Sequence, residues 1–282
     1  MPGAGRRFTF LIERIRAEVV RLLAFLQEEQ RQSAFHPLAF EQVIGEGENA
    51  VPPLTLRTPD GHTVRVRGQI DRVDKMVDEA TGKTYLRVVD YKTGSKRFSL
   101  EEVYCGLNTQ MLLYLFTLCR HEQAKGAAGA PIEAGVLYVK ADPPPETVAR
   151  GAEQKTVYQL DGLILNDNAV IRGMDRDATG LFVPFSFNKD QTPSARAAGK
   201  LADLEKLGRI EKHIEALVIQ MACGLYAGDI DAVPLRDKST CPCDVCPYRP
   251  VCLHEDGRGE TYITAPKDPF GPGAPKEGED GK

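Results

Sequence analysis

The 282-residue chain carries a formal net charge of −4, with 42% hydrophobic and 27% charged residues. Those proportions are ordinary for a globular protein with one sizeable core, and without a global positive field any nucleic-acid site has to be a local basic patch. No apolar run reaches the roughly 18 residues of a membrane span, and "MPGAGRRFTF" does not read as a secretory signal. A cytoplasmic protein with no membrane partner is therefore expected.

In chain order, Phe8 to Ser33 spaces Ile12, Ile15, Val19, Leu22, Leu23 and Leu26 as one helical stripe between polar residues. "FHPLAFEQVIG" predicts a strand. "VPPLTLRTPDGHTVRVRGQIDRVDKM" predicts a short strand, a turn at Asp60-Gly61 and a long strand. "VDEATGKTYLRVVDYK" turns at Thr81-Gly82 into the next strand. Gly82-Lys83-Thr84 imitates the end of a phosphate loop, but the first glycine of that motif would fall at Val77, so a hairpin turn is expected. Ser99 opens "SLEE", a capping box with Glu102, and starts a helix to about Arg120 in which Gly106 is the point of weakness.

"EAGVLYVKA" predicts another strand, followed by a proline-rich loop at Pro143 to Pro145 and a weaker strand at "KTVYQL". Helical spacing returns from about Leu201 to Tyr226. Thr261 to Lys282 is rich in Pro, Gly and charge and reads as a disordered tail. The organisation expected is an N-terminal amphipathic helix over residues 1–35, a core over 36–240, a cysteine-rich segment over 241–256 and the tail over 257–282. Helices and strands in this order indicate an α/β layered domain.

Of seven cysteines, four crowd between Cys241 and Cys252: Cys241, Cys243, Cys246 and Cys252. In a cytosolic chain such clustering favours a metal over disulfides, and the spacing alone fits zinc as well as iron–sulfur. Cys105, Cys119 and Cys223 read as core thiols, and His36, ahead of Pro37 at a strand entrance, as a structural or exposed side chain.

The most informative stretch is "GQIDRVD" followed by "VVDYKTG". Strand side chains alternate, so Asp90 and Lys92 share a face. An antiparallel hairpin with a four-residue loop, Glu79 to Gly82, sets Asp71 directly opposite Asp90. Two carboxylates that close repel unless a cation lies between them, and a divalent metal is the usual cation. Two carboxylates, a backbone carbonyl and a lysine suit phosphodiester hydrolysis with Mg²⁺ or Mn²⁺. Gly68 fits a strand position approached closely by other atoms. Downstream, Gln110 and Tyr114 stand one helical turn apart and read as a substrate-contacting edge.

Gly68-x-Ile70-Asp71, Asp90-Tyr91-Lys92 and Gln110-x-x-x-Tyr114, closed by Cys243-x-x-Cys246-x5-Cys252, resemble the PD-(D/E)XK nuclease superfamily. Within it they are most similar to the RecB-like C-terminal nuclease domain of AddB-type subunits of bacterial helicase–nucleases. The resemblance runs from about Phe8 to Glu255. It implies a restriction-endonuclease-like core, a mixed central sheet flanked by helices, with a C-terminal iron–sulfur segment.

By that resemblance Asp71, Asp90 and the Tyr91 carbonyl would ligate Mg²⁺ or Mn²⁺, Lys92 would be catalytic, and Gln110 and Tyr114 would form the helical motif. The spaced cysteines would hold a [4Fe–4S] cluster, with Cys241 as the candidate fourth ligand. The implied partners are DNA ends with single-stranded tails and an AddA-type helicase–nuclease subunit; the implied process is end resection in recombinational repair, with exonuclease favoured over endonuclease action. The family's upstream Gly-x-x-x-His does not occur before Asp71. Two rival expectations are a catalytically silent DNA-binding or docking fragment and a free-standing RecB-like nuclease.

Overall fold

The computed structural model describes residues 5–92, 97–126, 129–141, 158, 160–237, 241–252 and 254–272. The chain divides into two compact units. The first comprises Met1–Pro53, Arg67–Phe98 and Gln110–Leu204, and the second comprises Leu54–Val66, Ser99–Thr109 and Glu205–Lys282.

In the first unit a long helix, α1 (Arg6–Gln32), leads into β1 (His36–Ile44). After a segment that belongs to the second unit come β4 (Gly68–Val77), β5 (Thr84–Lys92), helix α3 (Gln110–Ala124), β6 (Ile132–Lys140), β7 (Leu160–Leu165), helix α4 (Asn168–Met174) and β8 (Leu201–Ala202). Six strands make one mixed sheet in the order β1-β4-β5-β6-β7-β8. The pairs β1–β4, β4–β5 and β6–β7 are antiparallel, whereas β5–β6 and β7–β8 are parallel. A mixed sheet flanked by helices is the architecture the sequence predicts.

β5 is buried continuously from Tyr85 to Asp90, as expected of a central strand covered on both faces. Ile70, Val88, Val136 and Leu163 are fully buried at the middle of the core. α1 and α4 cover the face that carries Arg72, Asp74 and Arg87. Glu29 of α1 bonds to both arginines, and Tyr85 donates to Asp167, the residue that caps α4. α3 lies over the other face, where Cys119 bonds to Glu133, the register partner of Leu86.

In the second unit β2 (Leu54–Arg57) and β3 (Thr63–Val66) form an antiparallel hairpin, α2 (Leu100–Tyr104) and α5 (Leu204–Ala227) are helices, and β9 (Leu235–Arg236) pairs in parallel with β10 (Thr261–Tyr262). A short helix, α6 (Arg249–Cys252), follows the cysteine turn. His213 stacks on Tyr104 at 4.9 Å and its ring nitrogen lies 2.8 Å from the Tyr104 carbonyl, with Phe270 edge-on to both rings.

Several sequence expectations change. The long strand after Asp60-Gly61 is two strands, broken at Arg67, because β3 pairs only with β2 while β4 joins the large sheet. The helix from Ser99 stops at Tyr104, since Gly106 (φ 85°) and Asn108 (φ 54°) take left-handed backbone before α3 starts. Ser99 does cap α2. α1 does match the helix expected over Phe8 to Ser33; along its stripe Ile12, Ile15, Val19 and Leu23 are exposed, Leu22 and Leu26 are half-buried, and Glu29 is the helix's one buried residue. Of the three isolated cysteines only Cys119 is buried; Cys105 and Cys223 are half-buried.

Pro143 to Pro145 lie outside the described residues, as does most of "KTVYQL", from which only Tyr158 and the first residue of β7 are described. In the segment read as a tail, Thr261–Tyr262 pairs with β9 and Phe270 is buried; residues 273–282 lie outside the described ones.

Candidate active site

The β4–β5 hairpin has the register the sequence requires. Arg72 faces Val89, Val73 faces Val88 and Asp74 faces Arg87, so the same alternation puts Asp71 level with Asp90. The turn is closed by Asp78 N–H donating to the Lys83 carbonyl at 2.9 Å, which makes Gly82-Lys83-Thr84 part of a hairpin.

At the open end of that hairpin Asp71 Oδ2 accepts the Tyr91 N–H at 2.9 Å. Asp90, nine-tenths buried, lies beside Tyr138 of β6. Lys92 Nζ stands 2.7 Å from Asp90 Oδ2 and 5.9 Å from the centre of the Tyr138 ring. The ammonium approaches off the hydrogen-bonding directions, so Asp90 Oδ2 is buried with no hydrogen bond among the described residues. That oxygen already has a cation beside it, the Lys92 ammonium, which a metal ion would have to share it with or displace. Two facing carboxylates, one with such an oxygen, fit a divalent ion of the oxygen-seeking kind. Asp71, Asp90 and the Tyr91 carbonyl would hold it.

The helical motif comes to the start of the same strand. Gln110 Nε2 donates to the Tyr114 hydroxyl at 3.0 Å, and Tyr114 packs on Gly68. A β-carbon at Gly68 would lie 1.7 Å from that hydroxyl. The close approach inferred for Gly68 is therefore made by a residue of the motif itself.

Sequence reasoning missed the supports. Phe98, six positions beyond Lys92, has its N–H on Asp161 at 2.7 Å and its carbonyl on Lys200 at 2.9 Å, while Lys200 also pairs with Asp161. Phe98 stacks on Tyr138, the ring beneath Lys92. Asp161 sits on β7, which the strand expected at "KTVYQL" reaches only at Leu160, and Lys200 sits just ahead of β8, where the sequence reading began a helix. On the opposite face Glu29, Arg72, Asp74 and Arg87 form a buried ionic cluster.

The cysteines form a turn in the second unit. Cys241 N–H is held by Asp244 Oδ2 at 2.9 Å, and Cys246 N–H by the Cys243 carbonyl at 3.3 Å. Burial, the contact with the Cys241 thiol and the charges of Cys241 and Cys246 push the Cys243 thiol up, against a smaller pull from Arg249. Cys252, on α6, is exposed. Among the described residues no three His, Cys, Asp or Glu groups are gathered closely enough to hold a metal ion.

A profile of the PD-(D/E)XK nuclease superfamily matches residues 3–253. The chain is 33% identical over 264 residues to the B-type subunit of an ATP-dependent helicase/deoxyribonuclease from Acetivibrio thermocellus, covering 89% of this chain and 22% of that protein. Proteins of the same name from Clostridium novyi and Clostridium acetobutylicum are each 31% identical, over 88% and 94% of this chain. The chain spans 22–24% of the length of these relatives. With the profile covering nearly its whole length, the chain belongs to the PD-(D/E)XK nuclease superfamily.

Proposed function

We propose that this chain is a divalent-metal-dependent deoxyribonuclease domain that acts within an AddB-type helicase–nuclease subunit. The observation that carries the reading is the buried Asp90 oxygen without a hydrogen bond, level with Asp71 and beside the Lys92 ammonium. A bound Mg²⁺ or Mn²⁺ would activate water and stabilise charge on phosphoryl oxygens. Asp71 and Asp90 supply carboxylate oxygens on one edge of the sheet. The Asp71 carboxylate is fixed by the Tyr91 N–H, and the ring of Tyr138 lies under the Lys92 ammonium. Lys92 presents its ammonium where negative charge develops and can hold the attacking water in line. Gln110 and Tyr114, locked to each other and to Gly68, offer polar atoms to the nucleic-acid strand.

The relatives' name supports DNA as the substrate and a helicase-linked assembly as the context. On that reading the partners are an AddA-type subunit and DNA ends with single-stranded tails, and exonuclease action in end resection is the expected mode. The spacing Cys243-x-x-Cys246-x5-Cys252 supports a [4Fe–4S] centre, with Cys241 as the fourth thiol and zinc as the alternative metal.

Cleavage of end-labelled linear DNA by the purified protein, with and without Mg²⁺, tests the nuclease reading. Metal-dependent shortening of the label supports it. Intact DNA, with the protein still binding DNA, favours a silent docking module.

A further inference from the structure

A four-charge cluster is buried behind the candidate metal site. Glu29, Arg72, Asp74 and Arg87 are each between 0% and 3% exposed. Arg72 grips Asp74 with two hydrogen bonds of 2.7 Å and reaches both oxygens of Glu29 at 3.0 and 3.1 Å. Arg87 bonds Asp74 at 2.8 Å and Glu29 at 2.5 Å, and its guanidinium lies 4.8 Å from the centre of the Phe35 ring. Two acids and two bases cancel, so the cluster carries no net charge.

Stability alone does not account for this arrangement. Well-packed apolar side chains usually serve a core as well as buried ion pairs or better. What apolar residues cannot do is hold a donor at a fixed point. With Nε and Nη2 committed to carboxylates on α1 and β4, Arg72 has Nη1 left, and it donates to the Tyr91 hydroxyl at 3.1 Å. The Tyr91 N–H meanwhile goes to Asp71. Consecutive residues of β4, pointing to opposite faces, thus hold one residue of β5 from both sides of the sheet. Tyr91 lies between Asp90 and Lys92.

We propose that the Glu29–Arg72–Asp74–Arg87 cluster is a positioning device that fixes the end of β5, and with it the metal-facing groups, through the Tyr91 hydroxyl. The proposal rests on the nuclease reading above and adds four residues, one of them on α1, to what that reading requires. These are positioning residues: none touches the metal or the substrate. A hydroxyl anchored to an immobile guanidinium limits the rotation of the Tyr91 peptide, which carries the carbonyl expected to face the metal. It also limits the swing of the carboxylate and the ammonium on either side.

Tyr91→Phe removes the anchor and leaves the four charges paired. Mn²⁺ binding followed by calorimetry, with thermal unfolding measured beside it, is the test. Tyr91→Phe should weaken Mn²⁺ about tenfold or more, the usual cost of losing an outer-shell partner, while the protein stays folded with a single unfolding transition, its midpoint lowered by the unpaired Arg72 Nη1. Glu29→Gln, if it folds, should weaken Mn²⁺ as well, because Arg72 then loses one of its two carboxylate partners. Wild-type Mn²⁺ affinity in Tyr91→Phe would overturn the positioning role and leave the nuclease reading intact. A wild-type protein that binds no Mn²⁺ would overturn both.

Discussion

The Tyr114 hydroxyl occupies the space that a side chain on Gly68 would need. A β-carbon there would meet the hydroxyl at 1.7 Å and the ring carbon bearing it at 2.2 Å. The first glycine of the hairpin motif and the tyrosine of the helical motif are therefore one packing unit, and that unit brings α3 to the strand that carries Asp71. Gly68→Ala should displace Tyr114, break its bond to Gln110 and cost about 1–3 kcal/mol as an overpacked site. Tyr114→Phe should not rescue it, because the ring carbon still collides. Unfolding of the single and double variants in urea checks this.

The buried cluster sets the acid response of the first unit. Burial pushes the Asp74 carboxyl up, but the charge of Arg87 and the hydrogen bond and charge of Arg72 outweigh it, so its pKa falls below the ordinary 3.8. A folded-state pKa below the unfolded one means stability that is complete above the unfolded value. That stability is lost as pH falls from about 4 through the lower folded value. Asp74→Asn should cost about 3–5 kcal/mol at pH 7, the usual effect of breaking a buried pair from one side. It should also remove much of the pH dependence below pH 5. Unfolding free energies at several pH values, wild type beside variant, measure both effects.

Lys92 assists charge and is not a ligand on this account. Lys92→Ala should slow single-turnover cleavage about 100-fold or more, as loss of a transition-state donor does. Mn²⁺ affinity should stay level or rise, because the ammonium 2.7 Å from Asp90 Oδ2 no longer competes for that oxygen. Collapse of metal affinity with an unchanged chemical step would reverse the roles.

The cysteine turn makes a separate claim. Purified without oxygen, the protein should be coloured, with the broad visible absorption of thiolate-bound iron. Cys246→Ala should bleach it and loosen the segment that follows, because a centre that binds only the folded chain adds its binding energy to stability. Cys241→Ala should bleach it too if Cys241 is the fourth ligand. A colourless protein with stoichiometric zinc would contradict the iron–sulfur assignment.

What the sequence made legible was the part governed by short-range periodicity. Alternation and loop length placed Asp71 level with Asp90 and put Lys92 on the same face, and the structure's register agrees. One helical turn joined Gln110 to Tyr114, and they are hydrogen-bonded.

The ionic cluster was illegible for a physical reason. Arg72 and Asp74 alternate with apolar residues along β4, a pattern that in most strands marks the solvent side. Their burial depends on Glu29, 43 residues away from Arg72 in the chain. Glu29 itself reads as a polar-face residue on an amphipathic helix, along whose apolar stripe Ile12, Ile15, Val19 and Leu23 are exposed. The weaker strand expected at "KTVYQL" ends where β7 begins, at Leu160, and α4, seven residues long, was missed; the Asp167 cap, which accepts the Ala169 N–H at 2.8 Å, is the local signal that could have found α4.

Cleavage of end-labelled linear DNA by the wild type and by Asp90→Ala, with Mg²⁺ and with a chelator, tests the central claim most directly. Asp90 sits at a strand end, so its truncation should leave the unfolding transition in place. The account predicts Mg²⁺-dependent cleavage by the wild type and none above the chelator background by Asp90→Ala. Cleavage by the folded Asp90→Ala protein at the wild-type rate would contradict it.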